Sequence, residues 1–181
     1  MRLLMLCGSL RVRSSNRSLL RAYERLIAPR ATVEHYDRLA ALPHFNPDLD
    51  RESGTLPAEV LDLRRMVNRA DALVVSTPEY VHALPGSFKN ALDWLVSDPA
   101  FIGKRVVILH VARGSSWALD SLREVLRTMA ADIVEAASIS LPLGTNQVDE
   151  DGILAREELR ALLLRSITAL SDAVSAATGK T

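Results

Sequence analysis

The stretch Ala72-Leu73-Val74-Val75-Ser76-Thr77-Pro78-Glu79-Tyr80 decides the fold. Its apolar run, closed by Ser76, is too short and too unbroken for an amphipathic helix and reads as a strand buried on both faces. Pro78 then stiffens the turn that leaves it. Downstream, Pro85 opens a short helix running to about Val96. Upstream, Pro57 suits the first turn of a helix running to about Arg69.

The same alternation continues outward in both directions. Leu3–Cys7, Thr32–Tyr36, Arg105–Val111 and Ile133–Ile139 read as further strands. Helices are expected from Asn16 to about Ile27, from Trp117 to Ala130, and from near Leu154 onward. Leu159, Leu162, Leu163, Ile167, Leu170 and Val174 mark the buried stripe of the last one. Between Asp37 and Leu56 lies a proline-containing loop, long for a compact domain, and such loops are often lids or binding segments. Five strands alternating with helices imply an α/β three-layer sandwich around a parallel sheet. The flavodoxin-like order 2-1-3-4-5 is the natural one, and the whole chain, 1–181, is expected to form one domain. In that arrangement a ligand sits beyond the C-terminal ends of strands 1 and 3, where the strand order reverses.

The loop after strand 1 is Gly8-Ser9-Leu10-Arg11-Val12-Arg13-Ser14-Ser15-Asn16. Gly8 permits a sharp turn. Ser14, Ser15 or Asn16 can cap the helix that follows. The N–H groups at that helix end favour an anion, and Arg11 can add a bidentate contact to a phosphate. There is no P-loop lysine and no Gly-x-Gly-x-x-Gly, which disfavours ATPase and dehydrogenase readings. Read alone, the loop is equally a polar turn with a capping residue. Ser14 and Ser15 have no neighbouring His or Asp to make them nucleophiles.

The loop after strand 3 runs from Ser76 through His82 and Pro85 to Trp94. Tyr80 can pack on a flat ring, and backbone N–H groups around Glu79 and Tyr80 can meet its polar edge. Lys89 and Asp93 are spaced to pair on a helix surface. Phe88, Leu92, Leu95 and Trp94 read as core, with Trp94 alternatively at an interface. His82 reads as a loop histidine rather than a proton donor.

Composition bounds the rest. The formal net charge is +0, from 22 basic and 22 acidic side chains. That balance gives no reason to expect nucleic acid or an anionic membrane as partner, and it lacks the strong acidity of many flavin carriers. The one cysteine, Cys7, permits no intrachain disulfide and reads as a small packing residue. The apolar N-terminus is too short for a signal sequence or a membrane span, so a cytoplasmic location is expected. His35, His44, His82 and His110 are dispersed and form no recognisable metal set. The terminal Gly179-Lys180-Thr181 resembles the end of a Walker motif, with no helix to follow it.

Two loops together are more specific than either alone. Gly8-Ser9-Leu10-Arg11 with Ser14 and Asn16, then Thr77-Pro78-Glu79-Tyr80 with Pro85-Gly86 and Lys89-Asn90-Ala91-Leu92-Asp93-Trp94, resemble the NADPH-dependent FMN reductase family over nearly the whole chain. The resemblance implies non-covalent FMN, with its phosphate held by Ser9, Arg11, Ser14, Ser15 and Asn16. It implies that Thr77, Pro78, Glu79 and Tyr80 lie along the isoalloxazine, with Gly114 in a third contact loop. It also implies NADPH or NADH as hydride donor, with no protein nucleophile and no metal. The acceptor would be a small molecule: a quinone, a flavin, an azo dye or a metal oxyanion. Homodimers or homotetramers are implied as well. The family's Ser-x-Gly followed by a Gly-Gly pair is here Ala112-Arg113-Gly114-Ser115-Ser116-Trp117, whose Arg113 and Trp117 add bulk. Arg11, Arg13 and Arg113 all remain partners for a 2′-phosphate. An FMN-binding electron carrier that never meets NAD(P)H is the main alternative, and a cofactor-free interaction domain on this fold is a second.

Overall fold

The computed structural model describes residues 1–50, 55–112, 114–144 and 148–178. Strand β1 (Arg2–Cys7) pairs in parallel with β2 (Thr32–His35) on one side and β3 (Ala72–Ser76) on the other. β3 pairs with β4 (Arg105–Val111), and the order is β2-β1-β3-β4-β5, the flavodoxin-like order expected. The apolar runs are unbroken because successive side chains leave the sheet on opposite faces and both faces are covered. Leu4, Leu6, Leu73, Val75, Val106 and Ile108 pack under α2 (Ala58–Arg69), α3 (Gly86–Asp93) and α4 (Trp117–Thr128). Leu3, Met5, Val74, Val107 and Leu109 pack under α1 (Ser15–Ile27), α5 (Glu150–Leu154) and α6 (Glu157–Thr178).

Four expectations are corrected. The fifth strand is broken into β5 (Asp132–Ile133) and β6 (Ile139–Leu141), each paired in parallel with β4. Between them, the N–H groups of Ala137 and Ser138 both turn back to the carbonyl of Val134. The Ser138 hydroxyl takes the place of a ladder carbonyl, accepting the N–H of Ile108 at 3.0 Å. The last helix does not begin at Leu154. Asp149 caps α5 by accepting the Gly152 N–H at 2.8 Å, and α6 follows as a separate helix. Pro57 and Pro85 stand just before their helices rather than in the first turn, where their carbonyls accept the first helical N–H groups. α3 ends at Asp93, short of Val96.

The long loop is fastened down along most of its length. Its residues 37–50 form a strap bound to the body. Leu39 and Leu42 are buried. The Pro43 carbonyl accepts both Asn90 Nδ2 at 2.9 Å and Trp94 Nε1 at 2.8 Å, and the Phe45 N–H donates to Asn90 Oδ1 at 2.8 Å. Arg64 holds the far end, donating to Asp50 and to the Trp94 carbonyl. Trp94 is therefore core, with Phe45 edge-on to its ring at 5.0 Å. No helix among the described residues is long and apolar enough to cross a membrane. Residues 179–181 lie outside the described residues.

Candidate functional site

The register pairing Cys7 with Ser76 brings the C-terminal ends of β1 and β3 level. The Gly8 N–H donates to the Ser76 carbonyl at 2.8 Å, so the two chains leave the sheet side by side. A Cβ on Gly8 would lie 2.2 Å from Thr77 Oγ1. Close approach, rather than a left-handed turn, is what requires glycine there. The two loops then diverge around an open cleft of about 250 Å³.

One end of the cleft is polar. Ser9, Ser14, Ser15 and Asn16 are buried yet line it. Ser14 occupies the N-cap position of α1 with extended backbone, but its side chain makes no capping bond, and the first turn carries no acidic residue. The donor-rich helix end thus faces the cleft without an internal counter-charge. Asn16 Oδ1 accepts the Ser76 hydroxyl at 2.9 Å, tying α1 to β3 and leaving the amide NH2 as the donor end. Arg11 and Arg13 stand exposed at the lip. Arg17 reaches Asp37 at 2.8 Å and the Ser9 carbonyl at 3.5 Å, and its buried Nε has no hydrogen-bond partner among the described residues.

The other end is built from Thr77, Pro78, Glu79 and Tyr80. Tyr80 and Ala83 exchange backbone hydrogen bonds at 3.0 and 3.1 Å across Val81 and His82. Both corner residues have positive φ, 51° and 54°, the geometry of a type I′ turn. The Tyr80 N–H is spent inside this turn, so of the two amides expected to meet a ring edge, that of Tyr80 is committed elsewhere. Glu79 does something the sequence did not reveal. Its carboxylate accepts the Ser115 hydroxyl at 2.5 Å and the Ala118 N–H at 3.0 Å, capping α4 from across the cleft. The Ser115 bond, then the Ala118 N–H, hold its pKa below the ordinary carboxylate value.

Every expected site residue lines this cleft except Gly114, which is exposed outside it with φ +92°. Arg113 lies outside the described residues. Arg13, weighed for a 2′-phosphate, lines it too, and four lining residues were missed as contacts: His110, Val111, Ser115 and Ala118. His110 had a readable signal, since it sits at the C-terminal end of β4, the same sheet edge that singled out the first two loops. Burial lowers its pKa, and its Nδ1 lies 3.1 Å from Ser140 Oγ. Cys7 is half-buried, its thiol pushed up chiefly by desolvation, with Sγ 3.7 Å from the Ser9 carbonyl. Among the described residues no group of three or more His, Cys, Asp or Glu is placed to hold a metal ion.

Comparison with known proteins agrees with this arrangement. The family description "NADPH-dependent FMN reductase" matches residues 1–146. The chain is 34% identical to a quinone reductase of Escherichia coli over 149 residues, 80% of this chain and 79% of that protein. It is 30% identical to an NAD(P)H-dependent FMN reductase of Pseudomonas aeruginosa over 168 residues, 90% and 89% of the two chains. In fold it is similar to a flavoenzyme NAD(P)H:(acceptor) oxidoreductase from Paracoccus denitrificans, with TM-score 0.76, 24% identity and coverage of 96% and 97%. A parallel sheet of this order, a cleft at its reversal point and a family match spanning both cleft loops lead to one conclusion: the chain belongs to the NADPH-dependent FMN reductase family of oxidoreductases.

Proposed function

We propose that the cleft holds FMN without a covalent bond. Ser9, Arg11, Ser14, Ser15 and Asn16 take its phosphate, and Thr77, Pro78, Glu79 and Tyr80 lie along its ring system. The observation that carries this reading is the row of buried polar side chains along one cleft wall, at the end of a helix with no acidic residue in its first turn. Hydroxyl and amide groups gathered at a helix N-terminus suit a phosphate dianion, which accepts their hydrogen bonds.

FMN, when bound, supplies the two-electron chemistry that links NAD(P)H to an acceptor. The chain's part is to bind, orient and shield. The Asn16–Ser76 bond fixes the phosphate end to the sheet, and the Glu79 clamp fixes the two ring-side loops to each other. Neither a nucleophile nor a metal is needed, so no protein residue is assigned a catalytic role. The acceptor is a small molecule of the quinone, flavin, azo or metal-oxyanion kind. The relatives' names favour the quinone. The whole chain, 1–181, acts as one domain, in the cytoplasm and as a homodimer or homotetramer. Exposed Val96 and Ile102, beyond the end of α3, support an oligomer.

The test is selective binding. Titrating the apoprotein by flavin fluorescence should give FMN an affinity about a hundredfold above that of riboflavin, which lacks the phosphate. Equal affinities would remove the phosphate cradle from the account.

A further inference from the structure

The lip of the cleft beyond Tyr80 carries a feature that flavin binding does not explain. The turn at Val81-His82 places two non-glycine residues in the left-handed region, one of them β-branched. Asn-Gly would make the same turn with less strain. Such strain persists where the surroundings hold it and where the side chains serve a purpose. Here the His82 ring stacks on Trp117, with centroids 5.8 Å apart and planes at 24°. Both lie close in the chain to residues that line the cleft. Tyr80, which opens the turn, lines the cleft, and Ser115 and Ala118, on either side of Trp117 in the chain, line it too. Trp117 is 60% exposed and Val81 fully exposed, so aromatic and apolar surface is held in water beside the site.

The pair is also fixed in place. Glu79 precedes Tyr80 and the turn, and its carboxylate bonds Ser115 and Ala118 on both sides of Trp117. The two halves of the stack, carried by different loops, are thereby fastened together. Among the described residues, the arginines that line the cleft, Arg11 and Arg13, belong to the loop after β1 and not to this wall.

We propose that His82 and Trp117 form a preorganised aromatic wall of the electron-acceptor site, selecting flat quinone-type rings over compact inorganic acceptors. The proposal rests on the reading of the cleft as the flavin site. A flat ring entering beside Tyr80 gains offset stacking on the wall, whereas a compact anion such as ferricyanide gains none.

The test uses the FMN-loaded protein and the variants Trp117→Ala, His82→Ala and Trp117→Phe. Calorimetric titration of the oxidised protein with anthraquinone-2-sulfonate, without any hydride donor, reads the wall apart from turnover. The alanine variants should each bind it about tenfold more weakly, and Trp117→Phe should recover most of the loss. In steady state, the ratio of kcat/KM for 1,4-naphthoquinone to that for ferricyanide should fall by a similar factor. Unchanged anthraquinone affinity would overturn the proposal. So would a loss confined to NADPH binding, which would make the wall a nicotinamide platform. So would a change of molecular mass in Trp117→Ala, which would make it a subunit contact. Failure of the wild-type flavin to be reduced by NADPH would instead count against the flavoenzyme reading beneath it.

Discussion

The carboxylate of Glu79 accepts the backbone N–H of Ala118 at 3.0 Å, so a residue of the loop after β3 caps the helix that follows β4. With its bond to Ser115 it closes the ring-side wall of the cleft. Both bonds are stronger to the ionised form, which is why the pKa lies below the ordinary 4.5. A group whose folded pKa is depressed contributes stability that is complete above its unfolded value and lost as pH falls through the folded one. Glu79→Ala should therefore be less stable than the parent in urea at about pH 7, and the gap should be smaller at about pH 3, below the ordinary carboxylate value. A gap that is the same at both values would show that the clamp does not depend on charge.

Arg11→Ala should weaken FMN binding by about tenfold or more, because a guanidinium contact to a dianion is among the stronger hydrogen bonds. Riboflavin affinity and the circular dichroism spectrum should be unchanged, since Arg11 is exposed and has no fold-supporting partner among the described residues. Equal loss for both flavins would place Arg11 away from the phosphate.

Gly8→Ala tests the close approach of the two loops. Its Cβ would meet Thr77 Oγ1 at 2.2 Å and Thr77 Cβ at 2.7 Å, and the backbone must shift to admit it. Overpacking of this kind costs about 1–3 kcal/mol, to be read as a lower Tm together with weaker FMN binding. A variant as stable as the parent would mean that the loops separate freely.

The turn at Val81-His82 predicts a stabilising change. The double variant Val81→Asn/His82→Gly should raise the folding free energy by about 1 kcal/mol or more, since both positions have positive φ. The same variant should lose acceptor affinity, a trade expected where strain serves a site. A lower Tm would show that the His82–Trp117 stack outweighs the strain.

The sheet was legible because its strands are continuous apolar runs separated by helical periodicity, from Leu3–Leu6 to Val106–Leu109. The order of strands followed from handedness and short connections. The loops after β1 and β3 were then located by topology, before any side chain was considered. Long-range side-chain chemistry was not legible. No local pattern ties Glu79 to Ser115 and Ala118, or the Pro43 carbonyl to Asn90 and Trp94. The break in the fifth strand was hidden too, because Ser138 replaces a ladder acceptor with its hydroxyl, a substitution seen only in three dimensions. His110 was passed over as a possible metal ligand although its strand end pointed to the cleft.

The most direct measurement is anaerobic. FMN-reconstituted protein is mixed with NADPH, and separately with NADH, while the visible flavin absorbance is followed. Rapid bleaching by at least one nucleotide is expected, with return of the colour when a quinone is added. A bound flavin that stays yellow with both would contradict it, leaving a flavin carrier in place of a reductase.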